Sequence, residues 1–198
     1  MAQRPVHRDV YSDTYSVGGF AAARQYILTF THVATGHSVS FPATIQELND
    51  THTAEISEQI FADRMDPLIQ QASADRSISF SFKVLNSSIE EARYNEQSIN
   101  MLMQMMYPKL RQNGEVEAGS YIKVTGLNMI KNTISDKSVT CLIEQINYSP
   151  DIDEGFIAPN PNEIHPIGLT ISISAKAIIP KSRTGSENPY PNNYPRYR

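Results

Sequence analysis

The sequence has a single cysteine, Cys141. It can form neither an intramolecular disulfide nor a cysteine zinc cluster. The five histidines, His7, His32, His37, His52 and His165, are scattered, and none sits in a His-Glu-x-x-His frame or beside the cysteine. Metal-ligand spacing is therefore absent, and no cofactor is expected. There is no Gly-x-Gly-x-x-Gly, no P-loop and no Gly-x-Ser-x-Gly. Positive charge is not in excess: 17 lysines and arginines face 21 acids, a net charge of −4. That excludes a diffuse basic patch of the kind that marks nucleic-acid binding. No apolar run approaches the roughly 18 residues of a membrane-spanning helix. Met1 to Val10 is polar and lacks a signal-peptide core. The expectation is synthesis in a reducing cytoplasm, where the sequons at Asn49, Asn86 and Asn147 carry no meaning.

What is present is alternation. From Ile167 to Ile179 every odd residue is apolar: Ile167, Leu169, Ile171, Ile173, Ala175, Ala177 and Ile179. The even residues up to Lys176 are small or polar, among them Thr170, Ser172 and Ser174. Strict period two predicts a strand with one face on a core and the other facing something wet. Ile78, Phe80, Phe82 and Val84 alternate with Ser79, Ser81 and Lys83 and predict a second such strand, so Phe80, Phe82, Ile171 and Ile173 belong to one core.

Around these, 198 residues with 40% hydrophobic content suit one domain with polar extensions. Residues 1–24 read as an N-terminal arm and 25–180 as the domain. Tyr26 to His32 and Val39 to Phe41 read as a hairpin turning about Gly36 and ended by Pro42. Residues 43–76 read as a loop-rich excursion with one short helix. Ser88 with Glu91 is a capping-box signature. It opens a helix near 88–106 that buries Ala92, Ile99, Leu102, Met103 and Met106 and stops before Pro108. The methionines at 101, 103, 105 and 106 extend beyond one face and suit core filling or a second contact surface. Strands follow at Tyr121–Leu127 and Val139–Tyr148, the latter with a bulge where the phase changes between Ile143 and Ile146. Ser149 to Pro166, rich in proline, reads as an extended loop.

Candidate chemistry is sparse. Asp63, Arg64 and Asp66 form a compact charged group, readable as an ion-paired loop or as a hydrolase's carboxylate pair. The acids Asp151, Asp153 and Glu154 lack EF-hand spacing and read as a solvated loop. His32 reads as a surface residue at a strand end, and Cys141 as a small buried hydrophobe. Residues 181–198 form an extended C-terminal tail in which tyrosines interleave with prolines and no apolar periodicity appears.

Three blocks together resemble a known family. They are Asp63-Arg64-Met65-Asp66-Pro67; the run from Asp75-Arg76 through Phe80 and Phe82 and Ser88-x-x-Glu91 to Met106-Tyr107-Pro108; and Cys141-x-Ile143-x-x-Ile146-x-Tyr148-Ser149-Pro150, followed by Phe156 to Pro161 and the long alternating strand. This order is similar to the tail-tube-like proteins of contractile phage baseplates, the tube initiator and tube cap proteins. The resemblance implies a mainly β domain with one flanking helix (α+β), an antiparallel β-sandwich or barrel of the tail-tube type with extended arms. It implies a non-enzymatic virion protein: a homo-oligomer, a hexameric ring beside tail-tube and baseplate hub proteins, with DNA passing through the lumen unbound. Thr170, Ser172 and Ser174 would face the lumen or a neighbour. Arg64, Asp66, Tyr190, Tyr194 and Arg196 are the expected subunit-interface residues. The competing expectations are a neck or terminator ring or another virion interaction module, and a small hydrolase using Asp63 and Asp66.

Overall fold

The two alternating stretches pair with each other. Residues 76–85 run antiparallel to residues 168–177, with Phe80 opposite Ile173 and Phe82 opposite Ile171. Opposed residues share a face, so one face of the pair is phenylalanine and isoleucine and the other is serine, threonine and lysine. In the computed structural model the described residues are 17–24, 26–42, 44–59, 68–110, 115–126, 130 and 138–178. The elements are α1 (Val17–Ala23), β1 (Ile27–His32), β2 (Ser38–Pro42), β3 (Thr44–Gln59), β4 (Leu68–Leu85), α2 (Ile89–Gln104), β5 (Lys109–Leu110), β6 (Val116–Ala118), β7 (Tyr121–Gly126), β8 (Val139–Asn160) and β9 (Glu163–Ala177). Seven strands make one sheet in the order β2-β1-β7-β8-β9-β4-β3, and β5 with β6 forms a separate pair.

The fold is mainly β with a flanking helix, as the sequence implies. The main sheet is open, with β2 and β3 at its margins. These two strands are separated in the chain by residue 43 alone, so Pro42 and Thr44 lie within about 7 Å. The two margins therefore converge at that corner, and the sheet curls without hydrogen-bonding shut.

Phe30, Phe41, Phe80 and Phe82 form the centre of the core, with ring centroids 5.6 Å apart for Phe41 and Phe82 and 6.2 Å for Phe30 and Phe80. Helix α2 starts where the sequence places it. Ser88 has extended backbone, and its Oγ accepts from the Glu91 N–H at 3.2 Å. The Glu91 carboxylate in turn accepts from the Ser87 N–H at 2.7 Å, one residue before the usual partner in a capping box. Ala92, Ile99 and Leu102 are buried; Met105 enters the core, and Met101, Met103 and Met106 pack against it. The bulge after Ile143 is present.

Four expectations are corrected. The described residues between 43 and 76 are not a loop-rich excursion: 44–59 are β3 and 68–76 the first half of β4. Past Asp50, β3 is exposed on both faces, so no alternation marks it. Residues 149–166 are not a loop either, because β8 runs on to Asn160 and pairs with β9 across a hairpin arm. Pro150 and Pro159 are tolerated there because no β7 residue pairs with that part of β8. Residues 17–23, read as part of an irregular arm, form helix α1, with Ala21 buried. His32 is buried, not exposed, because β1 lies between β2 and β7.

Phe82 is fully buried. Phe82→Ala is expected to lower unfolding stability by about 3–5 kcal/mol in a denaturant titration. Ser88→Ala, which removes one cap bond, is expected to cost about 1 kcal/mol by the same measurement. A loss for Phe82→Ala no greater than that for Ser88→Ala would contradict the packing described.

Candidate subunit interface and lumen face

The candidate site is the outward face of the four long strands β3, β4, β9 and β8, together with their edges. The face is built by phase. Ser79 and Ser81 of β4 oppose Ser174 and Ser172 of β9, which in turn oppose Gln145 and Asn147 of β8. Asn49 and Glu47 of β3 extend the same rows. Glu47, Ser79, Ser81, Gln145, Asn147, Ser172 and Ser174 line a shallow open depression of about 220 Å³. Thr170, Ser172 and Ser174 are half-buried on this face, as the alternation requires.

Both lysines on the face are paired. Lys83 Nζ lies 2.8 Å from Asp151 Oδ2 and 2.7 Å from Glu154 Oε1. Lys176 Nζ lies 3.0 Å from Asp75 Oδ2. The Lys83 clamp spans three strands and depends on Gly168, whose position lets Glu154 fold back over β9. A Cβ at residue 168 would fall on Glu154 Oε2 and lie 3.1 Å from Asp151 Cβ. The hydrogen bonds that Lys83 donates, to Asp151 first and Glu154 second, raise its pKa, and the bond from Lys83 holds the Asp151 carboxyl below its usual range.

Two edges flank the face. β3 pairs only with β4 among the described residues. β8 pairs with β7 only from Val139 to Leu142, so its outer edge has no strand partner among the described residues from Ile143 to Asn160. Reading the register across the strands puts Asp50 level with Ile78, Ala175 and Ile143. It likewise puts Thr44 level with Lys83, Thr170 and Ser149.

The β8–β9 arm is fixed to α2 by charge. His165, buried, has Nδ1 2.9 Å from Glu96 Oε1 and Nε2 2.9 Å from Glu163 Oε1. Glu163 also accepts from Arg93 at 2.6 Å and from Asn160 at 2.8 Å. Hydrogen bonds from His165, then Arg93, then Asn160 lower the Glu163 carboxyl to about 2. The same carboxylates, Glu163 first and Glu96 second, raise the His165 pKa above its ordinary 6.5. At the other side of the domain, burial and then the charge of His37 lower the pKa of His32. Its Nδ1 meets Thr35 Oγ1 at 2.8 Å, and its Nε2 is buried with no hydrogen-bond partner among the described residues. Burial pushes the Cys141 thiol up to about 12, so it sits as an inert small hydrophobe.

Thr170, Ser172 and Ser174 come together as the sequence placed them. Asp63, Arg64, Asp66, Tyr190, Tyr194 and Arg196 lie outside the described residues. The sequence reading missed the Lys83 clamp and the His165 junction. Asp151 and Glu154, taken for a solvated loop, are clamp residues. The one local signal was Gly168, the only even position from 168 to 176 with no side chain.

No family model matches the chain, and no curated protein matches it. Among solved structures it is similar to the Dit protein (gp 19.1) of SPP1, described as a paradigm of the hub adsorption apparatus in phages infecting Gram-positive hosts. Identity there is 10% and the TM-score 0.39, over 76% of this chain and 49% of that one. The chain thus spans about half the length of that protein. It is also similar to a chain of the six-fold symmetrised baseplate of the anti-feeding prophage, at 11% identity and TM-score 0.37 over 77% and 88% of the two chains. A third similarity is to a chain of the tail of an empty gene transfer agent particle with C6 symmetry, at 13% identity and TM-score 0.36 over 79% and 93%. With TM-scores below 0.5, these similarities carry no argument on function.

The two buried histidines are expected to titrate on opposite sides of pH 6.5 in an NMR titration, His165 above it and His32 below. The His165 contribution to stability is complete below 6.5 and fades as pH rises through its raised pKa. The His32 contribution is complete above 6.5 and is lost as pH falls through its lowered pKa. That of Glu163 is lost as pH falls from its usual 4.5 toward about 2. Titration of the two histidines in the reverse order would overturn both assignments.

Proposed function

We propose that this chain is a structural protein of a phage tail, a ring subunit at the junction of baseplate and tail tube, acting as a tube initiator or adaptor. The supporting observation is a set of four long strands in the seven-stranded sheet, with two open edges and one polar face that carries no unpaired lysine among its described residues. Four is an even number, so antiparallel alternation continues when β8 of one copy lies beside β3 of the next. Seven residues on each edge, 44–50 and 143–149, stand at the same level. Long open edges promote self-association, and repeating a contact between two different edges closes a ring when the rotation closes. Six copies, the number the sequence resemblance implies, each give four strands to the wall.

The polar face then lines the lumen. A phosphate backbone is held by unpaired lysines and arginines whose counterions it releases. Here serine, threonine, asparagine and glutamine dominate, both lysines are neutralised by carboxylates, and Glu47 adds negative charge. DNA passes such a wall without specific binding. In this reading Arg64, Asp66, Tyr190, Tyr194 and Arg196 contribute contacts between subunits, and hub and tube proteins stack on the ring's two ends.

The reading is tested on the assembled protein by hydrogen exchange and by imaging of particles. Alternate amides of residues 44–50 and 143–149 are expected to be protected in the ring and to exchange freely in the monomer. The ring should lie between baseplate and tube with Ser172 and Ser174 lining its channel. Free exchange at both edges in the assembled state would refute the joint.

A further inference from the structure

The tip of the β8–β9 arm, residues 156–166, is two-stranded among the described residues. Such a ribbon is marginal in water unless something packs on it. Helix α2 is what it rests on. The root of the tip is held by neutral bonds: the Asn86 N–H donates to Ile167 O and Asn86 Nδ2 to Pro166 O, both at 2.8 Å. The tip itself is held by charge. His165 meets Glu96 of α2, and Arg93 of α2 donates to Glu163 of the arm.

His165 is buried, and each of its ring nitrogens lies 2.9 Å from a carboxylate oxygen. An ionised carboxylate only accepts, and a neutral imidazole has one N–H and one lone pair. The imidazolium, with two N–H groups, satisfies both partners. Loss of either proton opposes one of the links to α2. A lone pair on Nδ1 would face Glu96 Oε1. A lone pair on Nε2 would face Glu163 Oε1, the same oxygen that takes both Arg93 bonds. The charge balance changes as well, from two cations against two carboxylates to Arg93 alone against the two. The charged and titratable groups that the described interactions bring to His165 are Glu96 and Arg93 from α2, Glu163 from β9 and, through Glu96, Tyr148 from β8.

We propose that this junction is a pH-operated latch: with His165 protonated the arm tip is docked on α2, and with His165 neutral the tip swings off α2 about the Asn86 tie. Both carboxylates, Glu163 first and Glu96 second, raise the His165 pKa above its ordinary 6.5. The latch is therefore shut below 6.5 and opens as pH rises through the raised value. Glu163, lowered to about 2, stays charged throughout. Tyr148, its pKa raised by burial and then by the charge of Glu96, stays neutral over the histidine's range. Ile157 opposes His165 and shares its face, so release uncovers Ile157.

The test is NMR on the full chain, following the His165 imidazole and the Ile157 methyl groups as pH is raised from below 6.5. The Ile157 signals are expected to report release with the midpoint of the imidazole. The undocked population should rise about tenfold or more, the factor for one charge-assisted hydrogen bond. Glu96→Gln is the deciding variant. A glutamine amide accepts from an N–H or donates to a lone pair, so it satisfies either form of His165. The arm should then stay docked across the range, with the His165 midpoint lowered. A merely structural Glu96 predicts instead an arm loosened at every pH. His165→Gln, with no titrating ring, should show no step. An Ile157 transition that is missing from the parent chain, displaced from the imidazole midpoint or retained in Glu96→Gln would overturn the latch. So would a transition shared by the core residue Ile171, which would mark unfolding rather than release. The residues followed lie outside 44–50 and 143–149, so the outcome does not depend on the ring.

Discussion

The pairing of β4 with β9 is the constraint from which the rest of the structure follows. Ten residues of each strand lie in unbroken register. One face of that pair holds Ile78, Phe80, Phe82, Leu169, Ile171 and Ile173, all buried. A shift by one residue would turn every one of these side chains to the wet face, so the register is held by the whole core. With that face committed to Phe30, Phe41 and α2, the opposite face is left to serine and threonine by the period of the strand alone. The polar wall is thus the reverse side of the core, and the two cannot be altered independently.

From this centre the strands overrun in opposite directions, and the two ends are treated differently. The β8–β9 arm is fastened to α2 by a compact set of charges, Arg93, Glu96, Glu163 and His165, in which both imidazole nitrogens face carboxylates. Asn86 adds a neutral tie, donating to Pro166 O and accepting from Asn95, each at 2.8 Å. Among the described residues, the β3–β4 ribbon is tied to the domain at its root. There the buried Arg76 donates Nε to Asp50 Oδ1 at 2.8 Å and Nη2 to Oδ2 at 2.6 Å, a two-pronged bond that fixes both strands where they leave the domain. One arm is oriented by the domain, whereas the other is only aimed by it.

Legibility in the sequence followed burial. Where a strand has one face on the core, as in β1, β4 from Ile78, β7 and β9, alternation was written in the residues and the strand could be read. The bulge after Ile143 was legible because the core side changes parity there. Where both faces meet solvent, as in β3 past Asp50 and β8 past Tyr148, nothing selects alternation, and those strands passed for loops. The prolines at 150 and 159 reinforced the error, since a proline signals a break unless the edge it sits on is known to be unpaired. The polar face at Thr170, Ser172 and Ser174 came from period two. The clamp of Lys83 by Asp151 and Glu154 did not, because it joins residues 68 or more apart through a gap at Gly168 that only the register reveals.

The same division explains how one short chain can present open edges and still be stable. β2, β1 and β7 are short strands of five or six residues with alternate residues buried, and with α2 they close the core on its far side. They join the long strands through only four residues of β8, Val139 to Leu142. Had β7 extended along β8, that edge would be sealed. Had β2 hydrogen-bonded to β3, part of the β3 edge would be covered as well. The short strands supply enough buried aromatic and aliphatic surface to hold the fold, and by stopping early they leave β3 and β8 unpaired over matching lengths. The closing of the core and the openness of the two edges are thus set by the same quantity, the length at which β7 and β2 end.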